Sequence, residues 1–127
     1  NELQVLIAAV ARIVDTAYQV FDRQDLNLTR DVEPLEEIVD ELSKELKRRH
    51  VNRLRSGECT IEMGFILTDL LTSLERIADH CSNISVCITQ VRENLYDTHS
   101  HLENMKNEPD DSYYVRLEEL QKEYVLP

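Results

Sequence analysis

Apolar residues recur along this chain at alternating spacings of three and four, in three long runs. That is the period of an amphipathic helix and not of a strand. In the first run Leu3, Leu6, Val10, Ile13, Ala17 and Val20 keep the rhythm, and Ile7, Val14 and Phe21 widen it. The pattern predicts a helix over 2–22, with a stripe broad enough for a globular bundle. The connection 23–30 is polar and short, so the next helix should return antiparallel. The second helix is predicted over 32–54. Leu35, Val39, Leu42 and Leu46 form its stripe, with Ile38 beside them. Asp31 or Glu33 is the expected cap, and Pro34 is expected in the first turn, where an amide hydrogen is not needed. Ser56-Gly57 should stop it, with Gly57 left-handed. The third helix is predicted over 60–98, on Met63, Leu67, Leu70, Leu74, Ile77, Cys81, Ile84, Ile88, Val91 and Leu95. At about 1.5 Å per residue it reaches ~58 Å, against ~35 Å for the second. Its far end should overhang unless the first helix or the tail covers it. A break near Asn107 to Asp110 makes 99–111 a linker, and a weaker pattern predicts a fourth helix over 112–123. The expected fold is therefore all-α: one domain over 1–127, an antiparallel three-helix bundle of long helices with a short C-terminal helix.

Composition agrees and adds a charge. Only two glycines and three prolines occur in 127 residues, which favours helix over turn-rich sheet. Twenty-five acidic residues face fourteen basic ones, a formal charge of −11. Such a surface repels nucleic acid and anionic lipid, so no nucleic-acid partner is expected. The one basic cluster is Lys44, Lys47, Arg48, Arg49, His50, Arg53 and Arg55, close to a predicted helix end, where cations suit the helix dipole. Cys59, Cys81 and Cys87 have neither zinc-finger nor redox spacing, and Cys81 and Cys87 are six apart and cannot bridge along a helix. An odd count without a framework suggests a reducing compartment. No run approaches 18 consecutive apolar residues.

Candidate chemistry is confined to carboxylates. The zinc-protease, phosphate-loop, dinucleotide-glycine and nucleophile-elbow signatures do not occur, and no enzyme is expected. His99 and His101 diverge on a helix, and His50 is placed to cap one. On the third helix Glu75 and Asp79 are four apart and share a face beside the core stripe. On the second, Glu36 and Asp40 repeat that spacing, and so do Glu37 and Glu41. Like charges so spaced repel by a few tenths of a kcal/mol per pair. A divalent ion would relieve this, and hard cations take carboxylate ligands. The alternative is a solvated acidic face neutralised locally by Arg76, Lys44 or Arg48. Asp79, His80 and Cys81 cannot grip one ion together, because adjacent helical residues diverge. Cys81 belongs to the core stripe, His80 to the surface, and Asn83 could hydrogen-bond a liganding carboxylate.

The run Leu74-Glu-Arg-Ile-Ala-Asp-His-Cys-Ser-Asn-Ile84 resembles the signature of the PhoU family, and Leu35-Glu-Glu-Ile-Val-Asp-Glu-Leu42 resembles its companion motif. The resemblance implies a helical bundle that regulates phosphate uptake. Family members have two three-helix repeats, whereas one is found here. It also implies metal binding at Glu/Asp-x-x-x-Asp motifs, matched here by Glu36, Asp40, Glu75 and Asp79, with Fe, Zn, Mg or Mn as the candidate ions. The segment from His50 to Cys59, Asp69 to Asn83 and the ending Glu123-Tyr-Val-Leu-Pro127 are similar to the cytoplasmic PhoU-like domain of bacterial sodium/phosphate symporters. By that likeness the chain is a fragment of a longer membrane transporter, at the cytoplasmic face of the membrane. Its expected partners are the membrane-spanning part of the same transporter and a second copy of the domain. The competing readings are a metal-dependent phosphoryl hydrolase and a purely structural dimerisation bundle.

Overall fold

The computed structural model describes residues 1–93 and 111–127. Helix α1 spans Glu2–Arg23, α2 spans Thr29–Arg55, α3 spans Ile61–Glu93 and α4 spans Asp111–Glu123. No strand occurs among the described residues. The three long helices run up, down and up and pack on one another, while α4 lies along α2. The expected three-helix bundle with a short C-terminal helix is what forms. Leu95, His99, His101 and nearly all of the expected linker 99–111 lie outside the described residues.

Local chemistry sets the ends. The Asn1 side chain accepts from the Leu3 amide at 3.1 Å and caps α1. Gln24, left-handed at φ 50°, closes the same helix. Asp25 then caps a 3₁₀ turn, Leu26–Leu28, accepting from the Asn27 amide at 2.9 Å. That turn runs straight into α2, which starts three residues earlier than the sequence pattern suggests. Neither Asp31 nor Glu33 is the cap: the capping position is Leu28, which gives no side-chain hydrogen bond. Pro34 consequently sits in the second turn, buried, and the Arg30 carbonyl loses its helical donor. Gly57 has φ +77°, as the stop signal requires.

The core is continuous. Leu6, Ile13 and Val20 of α1 meet Leu35, Ile38, Val39 and Leu46 of α2, all essentially inaccessible to solvent. The third helix contributes Leu71, Ala78 and Cys81, with Leu67, Leu74 and Ile88 packed at the margin. This corrects the expected stripe. Met63, Leu70, Ile77, Ile84 and Val91, every second member of the predicted rhythm, point outward, from 37% exposed at Leu70 to 73% at Val91. The residues turned inward beside the true core are small: Ser82, Ser85 and Thr89 are buried with Ala78. Small side chains let α3 approach α2 closely, and the larger ones are left outside. The widening residues of α1 behave alike, since Ile7, Val14 and Phe21 are exposed, and so is Tyr18 beside them.

By length and composition α1 could cross a membrane, but in this fold its other side is bundle core and a third of its most apolar window is buried. Near the last described turn of α3 Arg92 donates to Gln24 at 3.4 Å, so α1 runs alongside α3 that far, and the expected overhang beyond it lies outside the described residues. Helix α4 closes the α1–α2 side. Leu120 is fully buried, and Leu117, Tyr124 and Leu126 pack on the core. Polar ties fix it: Arg116 to Asp31 at 2.8 Å, Arg12 to Glu123 at 2.7 Å, and Arg49 to the Pro127 carbonyl at 2.6 Å.

Candidate functional site

The expected carboxylates lie along the line where α2 and α3 run antiparallel. Two side-chain ties fix the register. Ser43 and Lys47 of α2 donate to Glu75 of α3, the ammonium at 2.9 Å, and Ser82 of α3 donates to Glu33 of α2. Between these ties lie Glu36 and Asp40 on one helix and Asp79 on the other. Glu36 and Asp40 are half-buried and Asp79 is exposed. The sequence motif pairs are therefore brought to one side of the molecule, on neighbouring helices.

Glu75 itself is already engaged. Burial pulls its carboxyl upward, but the hydrogen bonds from Ser43 and Lys47 outweigh that and hold it below the ordinary value. Its ion-pair partner is Lys47 of α2, with Lys44 adding a weaker Coulombic pull in the same direction. Among the described residues no three His, Cys, Asp or Glu side chains gather closely enough to hold one ion. As arranged, the four carboxylates form two acidic steps beside an ion pair and not a coordination sphere.

The basic cluster is satisfied internally in the same way. Arg48 and Arg49 both bind Glu45, at 2.6 Å and 2.9 Å, and these bonds pull the Glu45 carboxyl down to about 2. Arg49 and Arg53 also hold Glu2 at 2.6 Å and 3.1 Å, across the α1–α2 interface, and lower its carboxyl too. Four of the seven basic residues are thus spent on tying the chain together. His50 does not cap the helix. It is 8% exposed and packs against Gly64, where a β-carbon would stand 2.6 Å from its Nε2. That nitrogen has no hydrogen-bond partner among the described residues.

Three residues escaped the sequence pattern: Ser43, Lys47 and the buried Glu33. Ser43 and Lys47 have the right i, i+4 spacing to share a face, but spacing cannot say that Glu75 will stand opposite. Glu33 is 5% exposed and bonded to Ser82, whereas the sequence offers it only as a helix cap. With Glu36 and Glu37 it also surrounds Tyr113 of α4. Burial first, and those carboxylates second, push the Tyr113 hydroxyl up to about 12.

Long packed helices with acidic steps along one seam define an all-α bundle domain. Comparison with known proteins gives its family. The PhoU domain matches residues 3–88, that is α1, α2 and most of α3, while α4 lies beyond the match. The chain belongs to the PhoU family. It is 26% identical over 84 residues to phosphate-specific transport system accessory protein PhoU homolog 1 of Thermotoga maritima. That alignment covers 66% of this chain and 36% of the relative, so the chain corresponds to about a third of that protein. No solved structure matches.

Proposed function

We propose that this is a regulatory domain of phosphate transport, acting by docking and not by catalysis. The observation that carries the reading is the match of three consecutive bundle helices to the PhoU domain. The curated relative, an accessory protein of a phosphate-specific transport system by its name, supports the same direction. The finer proposal follows the sequence resemblance: the domain belongs to a sodium/phosphate symporter, sits at the cytoplasmic face, and docks on the membrane-spanning part of the same transporter. Copurification tests it. The isolated domain should be retained by the detergent-solubilised membrane part of its transporter, and should be released at raised salt if acidic steps carry the contact. Retention no better than that of an unrelated acidic bundle contradicts the docking.

Metal binding by Glu36, Asp40, Glu75 and Asp79 is a separate proposal, favoured by the α2–α3 register that places them side by side. It requires Glu75 to give up its Lys47 ammonium. The observable is elemental content, for Fe, Zn, Mg and Mn, of wild type beside Glu75→Ala/Asp79→Ala. Stoichiometric metal lost only in the variant supports the site. Equal content in both removes it.

A further inference from the structure

A three-helix bundle has three grooves between its helices, and two of them are closed here. Helix α4 covers the α1–α2 side through Leu117 and Leu120. The α2–α3 side is sealed by the Glu75 and Glu33 ties. Among the described residues nothing covers the α1–α3 side. Between Val14, Tyr18 and Phe21 of α1 and Ile84, Cys87 and Ile88 of α3 runs an open groove of about 820 Å³.

The groove belongs to a longer apolar face. On α1 the outward residues Ile7, Val14, Tyr18 and Phe21 follow steps of seven, four and three. On α3 the outward residues from Met63 to Val91 recur every seven positions without a miss. The positions between them, Ile66, Ser73, His80 and Cys87, complete a three–four rhythm that carries no Asp, Glu, Lys or Arg. In a chain that is 31% charged, such a run is a seam for another helix surface and not a solvated face. Helices α1 and α3 are parallel, so the two seams lie side by side.

Size and charge indicate the occupant. An aromatic side chain offers about 150–250 Å² when bare and an aliphatic one less, so the nine outward residues, two of them aromatic and all roughly half exposed, present on the order of 800 Å². The largest apolar patch on a typical monomer is ~300–600 Å², while each side of a standard stable interface gives up about 800 Å². A surface of that size needs a partner with a matching pair of apolar helices. The chain supplies that surface itself. A net charge of −11 would keep two copies apart on any other side, but the seam positions on α1 and α3 carry no formal charge. The same charge works against an anionic lipid surface.

We propose that the α1–α3 face is the interface of a two-fold dimer, in which the seams of two copies pack into a four-helix layer. The proposal stands on the exposed face alone and is independent of the phosphate-transport reading. The test is sedimentation equilibrium on the 127-residue chain, with Ile77→Glu/Ile84→Glu on the seam and Val115→Glu on α4 as a control. All three positions are exposed within one copy, so the bundle should tolerate the changes, and circular dichroism verifies it. Wild type and control should sediment as dimers. The seam variant should be monomeric, with a dissociation constant raised at least ~100-fold. Alkylation gives a second readout: Cys87, exposed in one copy and set in the seam, should lose reactivity as wild-type concentration rises and stay reactive in the variant. A wild type that stays monomeric at high micromolar concentration overturns the proposal. So does a dimer that survives the seam variant. Flotation of the chain with vesicles, abolished by the seam variant, overturns it in favour of a lipid occupant.

Discussion

At the scale of single residues, the contact between His50 and Gly64 gives the sharpest prediction. In an open helix Gly→Ala stabilises by about 1 kcal/mol. Here the new methyl meets a buried imidazole, and overpacking costs about 1–3 kcal/mol. Gly64→Ala should therefore lower the denaturation midpoint in the wild-type background and raise it in a His50→Ala background. The same sign in both backgrounds contradicts the contact. Acid titration reports on the depressed carboxylates Glu2, Glu45 and Glu75. Their folded values lie below the unfolded one of 4.5, so the stability they contribute is present above pH 4.5. It is lost as pH falls through the folded values, which for Glu45 is about 2. Lys47→Met, which unpairs Glu75, should remove up to about 1 kcal/mol at neutral pH and flatten part of that acid dependence. Tyr113 tests the alkaline side. Its raised value means that stability is complete below pH 10 and falls as pH climbs towards about 12. Ultraviolet titration should show one tyrosine ionising late, and Tyr113→Phe should abolish that late phase.

At the scale of helices, what the sequence reveals depends on how many sides of a helix are apolar. Helix α2 has one, and Leu35, Ile38, Val39, Leu42 and Leu46 are all buried as the spacing indicates. Helix α3 has two. Leu67, Leu74, Cys81 and Ile88 form one column and Met63, Leu70, Ile77, Ile84 and Val91 another, so a rhythm of threes and fours fits their sum without choosing between them. The choice is made by small residues, Ala78, Ser82 and Ser85, which permit close approach and which a search for large apolar positions passes over. The start of α2 was hidden for a related reason: a 3₁₀ turn hands directly into it, so no capping side chain marks the boundary. The candidate site was legible as two acidic steps, because i, i+4 spacing is a property of one helix. Its neutralisation by Lys47 was not, because register between helices is not written in either. Helix α4 is short, and its anchoring rests on long-range pairs. Arg116→Ala should remove the tie to Asp31 and loosen α4. Increased proteolysis near the start of α4, with α1–α3 left intact, is the expected outcome, and unchanged cleavage contradicts it.

At the scale of the molecule, the bundle distributes its sides among different tasks. One is closed by α4, one carries the acidic steps, and one is apolar and uncovered among the described residues. A domain of the PhoU family built this way can meet more than one surface at once, which is what regulation by docking demands. Four residues of the basic cluster, Lys47, Arg48, Arg49 and Arg53, are committed to Glu2, Glu45 and Glu75. The central proposal is that the domain changes phosphate transport through contact. The measurement that tests it most directly is the rate of phosphate uptake by cells carrying the transporter to which the proposal assigns it, with this domain present or removed, at equal transporter abundance in the membrane. The account predicts a changed rate on removal, restored when the domain is supplied as a separate chain. Equal uptake with and without the domain would contradict it.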